Sequence, residues 1–348
     1  MCPHRQWFVM QWHITDRCNL HCAHCYQDPC PGPELSFAAL LRILDQYKAL
    51  LDQLERHWGT PLRGRINVTG GEPFVRSDFL DFLQVLSSEK PRIVSGVLTN
   101  GSFIDRNMAK RLRKLGVTPV QVSMEGTQRT HDRIRGDGNH LGTVAAVRHL
   151  VHQGVPTTIS FTANRLNYRE FPEVARLACN LRAARVWSDR LIPMGRGCEL
   201  ETLTPEEARE MFRLMRVARE EVESSWFGRT KVSSARALQF LDGGLQYHCS
   251  AGGTLLTILP NGDLLPCRRM PIRVGNVMEQ SLSELYFESP MLKALRDPNR
   301  VSKGCETCRF ESHCRGGLRC LSYALTGDPF RADPGCWLAE RCVSEGAV

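Results

Sequence analysis

Three cysteines near the N-terminus have a spacing that suits an iron–sulfur cluster. They are Cys18, Cys22 and Cys25, in the run Cys-Asn-Leu-His-Cys-Ala-His-Cys-Tyr. Iron–sulfur clusters are normally closed by four cysteines, so three thiolates on one short loop would hold three irons of a [4Fe–4S] cube and leave one iron open. A small molecule can bind at an open iron, which indicates a reactive cluster and not simply an electron relay.

Zinc is the alternative that this spacing leaves open. A zinc ion takes four Cys or His ligands, and His21, His24 or Cys30 could supply the fourth.

A second motif follows about one β-α unit later and weakens the zinc alternative. A strand-like run from Arg65 to Thr69 ends in Gly70, Gly71 and Glu72. Glycine allows close approach of the backbone to a ligand, and Glu72 adds a carboxylate acceptor. A Gly-Gly turn after a strand is common by itself, so its position after the cysteine loop is the informative feature.

Together the two motifs resemble those of radical S-adenosylmethionine (SAM) enzymes. The resemblance implies that the open iron chelates SAM and that Gly70, Gly71 and Glu72 receive its amino group. It also implies that one electron cleaves SAM to methionine and a 5'-deoxyadenosyl radical, while the protein binds and orients the reactants. The position before the third cysteine, often aromatic in the family, is His24 here, and we count it among the cofactor-binding candidates.

The elements that must position these residues alternate between strands and helices. Hydrophobic periodicity predicts strands at 8–14, 65–69, 93–99, 120–124, 157–162 and 185–191, and helices at 36–57, 78–88, 105–115, 141–153, 169–182, 205–222 and 232–241. Asp78 and Asp105 are placed to start two of the helices. Six β-α repeats imply an α/β fold with a parallel sheet, and the motifs lie at the strand ends where barrel enzymes place their chemistry. The family fold is a partial (β/α)6 barrel of the TIM type.

Polar residues also follow later strands. Asn100 follows the third predicted strand, Ser123 and Glu125 close the fourth, and Asn164 follows the fifth. The resemblance implies that Ser123 lies near the SAM ribose and that the other three are candidates for contacts with SAM or substrate. Each could equally be a turn or helix cap. The segment 131–136, His-Asp-Arg-Ile-Arg-Gly, resembles one common in the peptide-modifying branch.

Cysteines return beyond residue 245, around an Asn261-Gly262-Asp263 signal that predicts a β-hairpin. This region resembles the SPASM extension of radical SAM enzymes. The resemblance implies one auxiliary [4Fe–4S] cluster on Cys305, Cys308, Cys314 and Cys336, and another that includes Cys249 and Cys267. The chain departs from the pattern at Leu318, where a further cysteine belongs. Cys320, two residues later, is the candidate replacement; without it the latter cluster would have an open iron, a different nuclearity, or be absent.

Composition and length set the remaining expectations. The chain has 348 residues, 15 cysteines and a formal net charge of +8. No apolar run of 18 residues and no signal peptide is evident, so we expect a cytoplasmic protein without a membrane span, whose many cysteines bind clusters. The positive charge is dispersed, which disfavours nucleic-acid binding. We expect a radical SAM core at 1–195, a helical bridge at 196–245 and a SPASM domain at 246–348.

The extension is typical of enzymes that modify peptides and proteins. We therefore expect a maturase that leaves a thioether, a carbon–carbon crosslink, an epimer or an oxidised side chain in a ribosomally made peptide. The first predicted strand starts almost at once, so a separate protein would bind the leader peptide, and flavodoxin or ferredoxin would donate electrons. Alternatives are cofactor or tetrapyrrole biosynthesis, anaerobic sulfatase-type maturation, and a non-enzymatic electron-transfer or binding protein.

Overall fold

A single ten-stranded sheet runs through the protein. The computed structural model describes residues 7–27, 33–224 and 230–339. The strand order is β10-β9-β8-β1-β2-β3-β4-β5-β6-β7. The strands are β1 (Trp7–His13), β2 (Arg63–Thr69), β3 (Ile93–Thr99), β4 (Val120–Ser123), β5 (Thr157–Ala163), β6 (Arg185–Arg190), β7 (Lys231–Val232), β8 (Leu255–Ile258), β9 (Asp263–Leu265) and β10 (Gly275–Asn276).

Strands β1 to β6 are parallel and are joined by helices, which confirms the predicted partial (β/α)6 barrel. The helices are α1 (Phe37–Trp58), α2 (Phe79–Ser88), α3 (Arg106–Lys114), α4 (Gln128–Arg135), α5 (Asn139–His152), α6 (Phe171–Asn180), α7 (Pro205–Ser224), α8 (Leu282–Glu288), α9 (Pro290–Arg296), α10 (Glu311–Cys314) and α11 (Arg319–Thr326). No helix in the described ranges is long and apolar enough to cross a bilayer.

The register of the first two strands sets the position of both sequence motifs. His13 pairs with Thr69, so β1 and β2 end level with each other. The cysteine loop and the Gly70–Glu72 segment therefore leave the sheet side by side. Asp105 caps α3 by accepting the Met108 N–H at 2.7 Å, as predicted. Asp78 precedes α2 but makes no side-chain cap; it accepts from the Arg76 guanidinium at 2.6 Å.

The helix predicted at 232–241 is wrong. Lys231–Val232 forms β7, which pairs in parallel with β6, and a short 3-10 turn follows at Gln239–Asp242. Leu238 has a φ of 68° and Gly243 a φ of 77°, and residues in this left-handed region cannot continue an α-helix. Helix α4 was not predicted, because its sequence is almost entirely polar and carries no apolar stripe.

The predicted hairpin is confirmed as β8 and β9, which pair antiparallel around Gly262. Strand β8 also pairs in parallel with β1, with Val9 opposite Leu255. The cysteine-rich region therefore begins on the open edge of the barrel sheet, next to the strand that leads into the N-terminal cysteine loop.

Candidate active site and cysteine groups

The N-terminal cysteine loop is held by one backbone hydrogen bond within it and by two to other parts of the barrel. The Ala23 N–H donates to Ile134 O at 2.8 Å, and the Cys25 N–H donates to Cys22 O at 3.2 Å. The Gly197 N–H donates to Cys25 O at 3.2 Å, which ties the loop to the segment after β6. The loop is thus fixed by both the middle and the end of the barrel.

Gly70 and Gly71 lie against the residues that lead into this loop. The Gly71 N–H donates to Thr15 O at 2.8 Å, and the Glu72 N–H donates to Arg17 O at 2.9 Å. A Cβ atom at Gly70 would overlap the Thr15 carbonyl oxygen, and one at Gly71 would overlap that of Arg17. The two glycines are therefore required for the close approach of two backbone segments.

Glu72 is fully buried and binds the end of β3. Its carboxylate accepts the Thr99 hydroxyl at 2.8 Å and the Asn100 N–H at 2.8 Å. Burial raises the pKa of Glu72 to about 7, although these hydrogen bonds oppose the shift. Glu72 thus joins the ends of β2 and β3 in addition to its predicted role towards SAM.

The thiols of the N-terminal loop are close enough to influence one another. Burial raises the pKa of Cys18 and of Cys22; the charges of Cys22 and Cys25 add to the effect on Cys18. Arg135 acts against the rise at Cys22, and its Nη1 lies 3.8 Å from the Cys22 Sγ. A buried cation that acts on Cys22 and Cys25 favours an anionic cluster at this place.

Glu125, His24 and Arg135 form a buried charged group beside the loop. Arg135 Nη2 donates to Glu125 Oε1 at 2.6 Å and lies 3.3 Å from His24 Nε2. Burial would raise the pKa of Glu125, but His24 and Arg135 outweigh it and hold the pKa well below its usual range. Sequence reasoning noted the segment 131–136 without singling out Arg135, since nothing in its spacing ties it to Cys22.

The other predicted polar residues lie at the same edge of the barrel. The Asn100 amide donates to Asn19 Oδ1 at 2.9 Å and lies 3.8 Å from Cys18 Sγ. The Ser123 hydroxyl is 3.5 Å from that of Ser160 on the neighbouring strand. Asn164 Nδ2 and His24 Nδ1 are buried and have no partner among the described residues. Such orphaned groups fit a polar ligand like SAM.

One C-terminal group of cysteines surrounds a cavity. Four thiols, together with apolar side chains, line one small pocket: Cys305, Cys308, Cys314 and Cys336. Burial raises the pKa of Cys305 and Cys314 to about 12, and in both cases the charge of Cys336 adds to the rise. This convergence fits an auxiliary cluster with four protein ligands, as the resemblance implies.

The second C-terminal group brings Cys320 together with Cys249 and Cys267. Burial raises the pKa of Cys320 well above its ordinary value, and the charges of Cys267 and Cys249 add to it while Arg269 opposes. Leu318 is buried at the start of α11, and its N–H donates to Asp333 Oδ2 at 2.7 Å. The ligand role of Cys320 stays a prediction that this placement favours.

The zinc alternative gains no support from the geometry. Within the described ranges, no three His, Cys, Asp or Glu side chains are arranged to hold a single metal ion. Cys30, one of the proposed zinc ligands, lies outside the described residues.

Two family models match the chain in the order that the cysteine groups suggest. The radical SAM superfamily model matches residues 12–178. The model of SPASM, an iron–sulfur cluster-binding domain, matches residues 249–314.

Curated relatives match along nearly the whole chain. An AdoMet-dependent heme synthase of Methanosarcina barkeri is 27% identical, with 94% of this chain and 95% of the relative covered. A PqqA peptide cyclase of Granulibacter bethesdensis is also 27% identical, covering 94% and 86%. The mycofactocin maturase MftC of Mycolicibacterium smegmatis is 29% identical, covering 94% and 82%.

Solved structures share the fold. Native anSMEcpe with bound AdoMet superposes with a TM-score of 0.74 at 18% identity, covering 98% of this chain and 96% of that one. Streptococcus suis SuiB bound to the precursor peptide SuiA gives 0.71 at 16% identity, covering 94% and 75%.

This chain is a radical SAM enzyme with a C-terminal SPASM domain. Its cofactors are a [4Fe–4S] cluster, SAM and one or two auxiliary iron–sulfur clusters. Cys18, Cys22 and Cys25 would hold the first cluster, and the two C-terminal cysteine groups would hold the others.

Proposed function

We propose that this enzyme modifies a ribosomally made peptide or protein side chain by abstracting a hydrogen atom. The observation that carries the proposal is the position of Tyr26. Tyr26 follows Cys25, and its ring centroid lies 5.4 Å from the Cζ of Arg268, the residue after Cys267. The N-terminal cysteines and one C-terminal group thus lie near each other, and a substrate held between them would react beside two clusters.

The names of several relatives support a peptide substrate. The name of PqqA peptide cyclase specifies a peptide, and SuiB has been solved with its precursor peptide. The product would be a thioether, a carbon–carbon crosslink, an epimer or an oxidised side chain. The same proposal includes a separate leader-binding protein and an electron donor such as flavodoxin or ferredoxin. It also includes a cytoplasmic location and the absence of nucleic-acid binding.

When bound, the cluster and SAM supply the 5'-deoxyadenosyl radical, and the residues of the chain orient and protect it. Arg135 stays paired with Glu125 and presents a fixed cation beside Cys22. Glu125 is a weak base because its pKa is held low. Its role is to orient Arg135, and it also accepts a hydrogen bond from the Thr162 N–H at 2.8 Å. Asn164 Nδ2 has no partner in the part of the chain that the structure describes, so it can donate to a ligand.

A tetrapyrrole is the second candidate substrate. An AdoMet-dependent heme synthase and an Fe-coproporphyrin III synthase are among the relatives, at 27% and 26% identity. Both substrate classes must therefore be offered to the enzyme.

The decisive experiment is anaerobic turnover with SAM and dithionite. Short peptides encoded beside the gene should change mass in step with formation of 5'-deoxyadenosine, by loss of two hydrogens or by deuterium uptake for an epimer. Cys22→Ala should abolish both readouts, and Cys179→Ala on α6 should leave them unchanged. Conversion of Fe-coproporphyrin III without any peptide change would replace the peptide by the tetrapyrrole; SAM cleavage by Cys22→Ala would contradict the assignment of the N-terminal cysteines.

A further inference from the structure

We infer that Arg268 binds a carboxylate of the substrate at the barrel mouth. Together with Arg269 and Arg236 it is called the arginine cluster here: Arg269 and Arg236 both act on the carboxylate of Asp189, and Arg268 precedes Arg269 in the chain. The inference rests on the proposed function in one respect, namely that a substrate occupies the space between the two cysteine groups.

Arg268 is a buried cation that pairs with no carboxylate of the described residues. It is 9% exposed, and its Nε has no hydrogen-bond partner in the described part of the chain. Its guanidinium lies over the Tyr26 ring, with 5.4 Å between Cζ and the ring centroid. Within the described ranges no carboxylate pairs with it, in contrast to Arg269, whose Nη1 is 2.8 Å from Asp189 Oδ2. An unpaired buried charge is costly, so an anion supplied from outside would satisfy it.

Arg236 adds a second incompletely satisfied guanidinium. Its Cζ lies 4.0 Å from the centroid of the Trp187 ring, and its Nε is buried without a partner among the described residues. Burial lowers the pKa of Arg236, and the charge of Asp189 opposes this only in part. Asp189 is already paired with Arg269, so the cluster carries more positive than negative charge.

Arg269 and Arg268 differ in the groups on which their charges act. The cations that lower the pKa of Cys249 are Arg319 and Arg269, and Arg269 is the cation that lowers the pKa of Cys320. Arg268 instead acts on His13, at the end of β1, and on Tyr26, next to Cys25. Its guanidinium therefore faces the barrel side of this region, where a reacting substrate would lie.

The chemistry of the site selects a carboxylate with an apolar or aromatic neighbourhood. Arginine forks bind carboxylates through paired charge-assisted hydrogen bonds, and the Tyr26 and Trp187 rings flank the two guanidinium groups. An acidic side chain of a peptide and a propionate of a tetrapyrrole both present this group, so the test must separate these two sources.

Binding to the reconstituted enzyme with SAM, without reductant, tests the inference independently of turnover. Two matched probe pairs are titrated by calorimetry: Fe-coproporphyrin III against its tetra-amide, and acetyl-Ala-Ala-Glu-Ala-Ala-amide against its Gln counterpart. The carboxylate member of at least one pair should bind about ten- to a hundredfold more tightly, as expected for charge-assisted hydrogen bonds. A preference in only one pair identifies the source of the carboxylate.

The preference should disappear in Arg268→Gln and be partly retained in Arg268→Lys. Arg273→Gln is the matched control, because Arg273 lies on the same loop, is 57% exposed and pairs with Asp263. Equal or undetectable binding of both members of both pairs, or a preference that survives Arg268→Gln, overturns the inference. A weaker affinity of Arg268→Gln for SAM, measured by equilibrium dialysis, also overturns the inference, since Arg268 would then bind the carboxylate of SAM. Iron content shows whether each variant is folded. If Arg268→Gln is not folded, the result for Arg268→Lys decides the test.

Discussion

Single residues determine how many clusters this enzyme can hold, and Cys320 is the one that departs from the family spacing. It is the candidate replacement for the cysteine expected at Leu318, and its thiol lies within the electrostatic reach of Cys249 and Cys267. Among the described residues this group contains three cysteines, whereas the other group has four around its pocket. A group of three leaves one position for a further ligand from the protein, the substrate or solvent.

Replacing Cys320 by Ala should remove one cluster. The wild-type enzyme should contain about 12 irons per chain after anaerobic reconstitution, and Cys320→Ala about 8, because two remaining thiols cannot retain a cubane. Iron and sulfide analysis provides the measurement. Cys179→Ala, which removes a thiol outside the three groups, should keep the full iron content. An unchanged iron content in Cys320→Ala would show that Cys320 is not a ligand.

At the scale of secondary-structure elements, strand ends and glycines bring the cysteines to their positions. Arg315, Gly316 and Gly317 have consecutive positive φ values of 54°, 84° and 75°. This left-handed run, which favours glycine, turns the chain immediately before α11. Cys320 lies in the first turn of that helix, and its thiol is near those of Cys249 and Cys267.

Gly71→Ala should destabilise the junction between β2 and the cysteine loop. The new Cβ would overlap the Arg17 carbonyl oxygen and lie 2.7 Å from that of Asp16, and backbone atoms cannot rotate away. We expect a loss of about 1–3 kcal/mol, as for other overpacked sites, with a lower Tm and weaker SAM binding.

Gly142→Ala is the matched control for this prediction. Gly142 lies inside α5, and a Cβ there meets nothing within 4 Å. Alanine in a helix interior is favoured over glycine by about 0.5–1 kcal/mol, so Tm should rise slightly. Thermal unfolding at one scan rate compares the two variants; equal Tm values for Gly71→Ala and wild type would contradict the packing explanation.

At the scale of the whole molecule, the sequence predicts the barrel better than it predicts the contacts between the barrel and the C-terminal cysteine region. The six parallel strands follow from local apolar patterns, and so does the hairpin at Gly262. Helix α4 was missed because its polar sequence has no apolar stripe. Pairings such as Arg190 with Asp333 join residues 143 positions apart, and local periodicity contains no information about them. The same holds for the arginine cluster, in which Arg236 comes from a different segment than Arg268 and Arg269.

The Arg190–Asp333 pair is the contact through which the barrel and the C-terminal cysteine region should stabilise each other. Arg190 on β6 donates to both oxygens of Asp333, at 2.7 and 2.5 Å, and the two side chains are 2% and 1% exposed. Asp333 also accepts the N–H of Leu318 and that of Gly335, which fixes the backbone on either side of α11. Loss of its charge would leave Arg190 buried without an anion.

Asp333→Asn should therefore destabilise the protein by about 3–5 kcal/mol, the usual result of removing one partner of a buried ion pair. Glu288→Gln is the control, since Glu288 is 71% exposed and its pair with Lys293 should contribute less than about 1 kcal/mol. Thermal unfolding at low and high salt measures both variants. Salt should reduce the small effect of Glu288→Gln and leave that of Asp333→Asn, because buried charges are poorly screened. A Tm for Asp333→Asn equal to that of Glu288→Gln would mean that the barrel and the cysteine region are held together by apolar packing, with the ion pair contributing little.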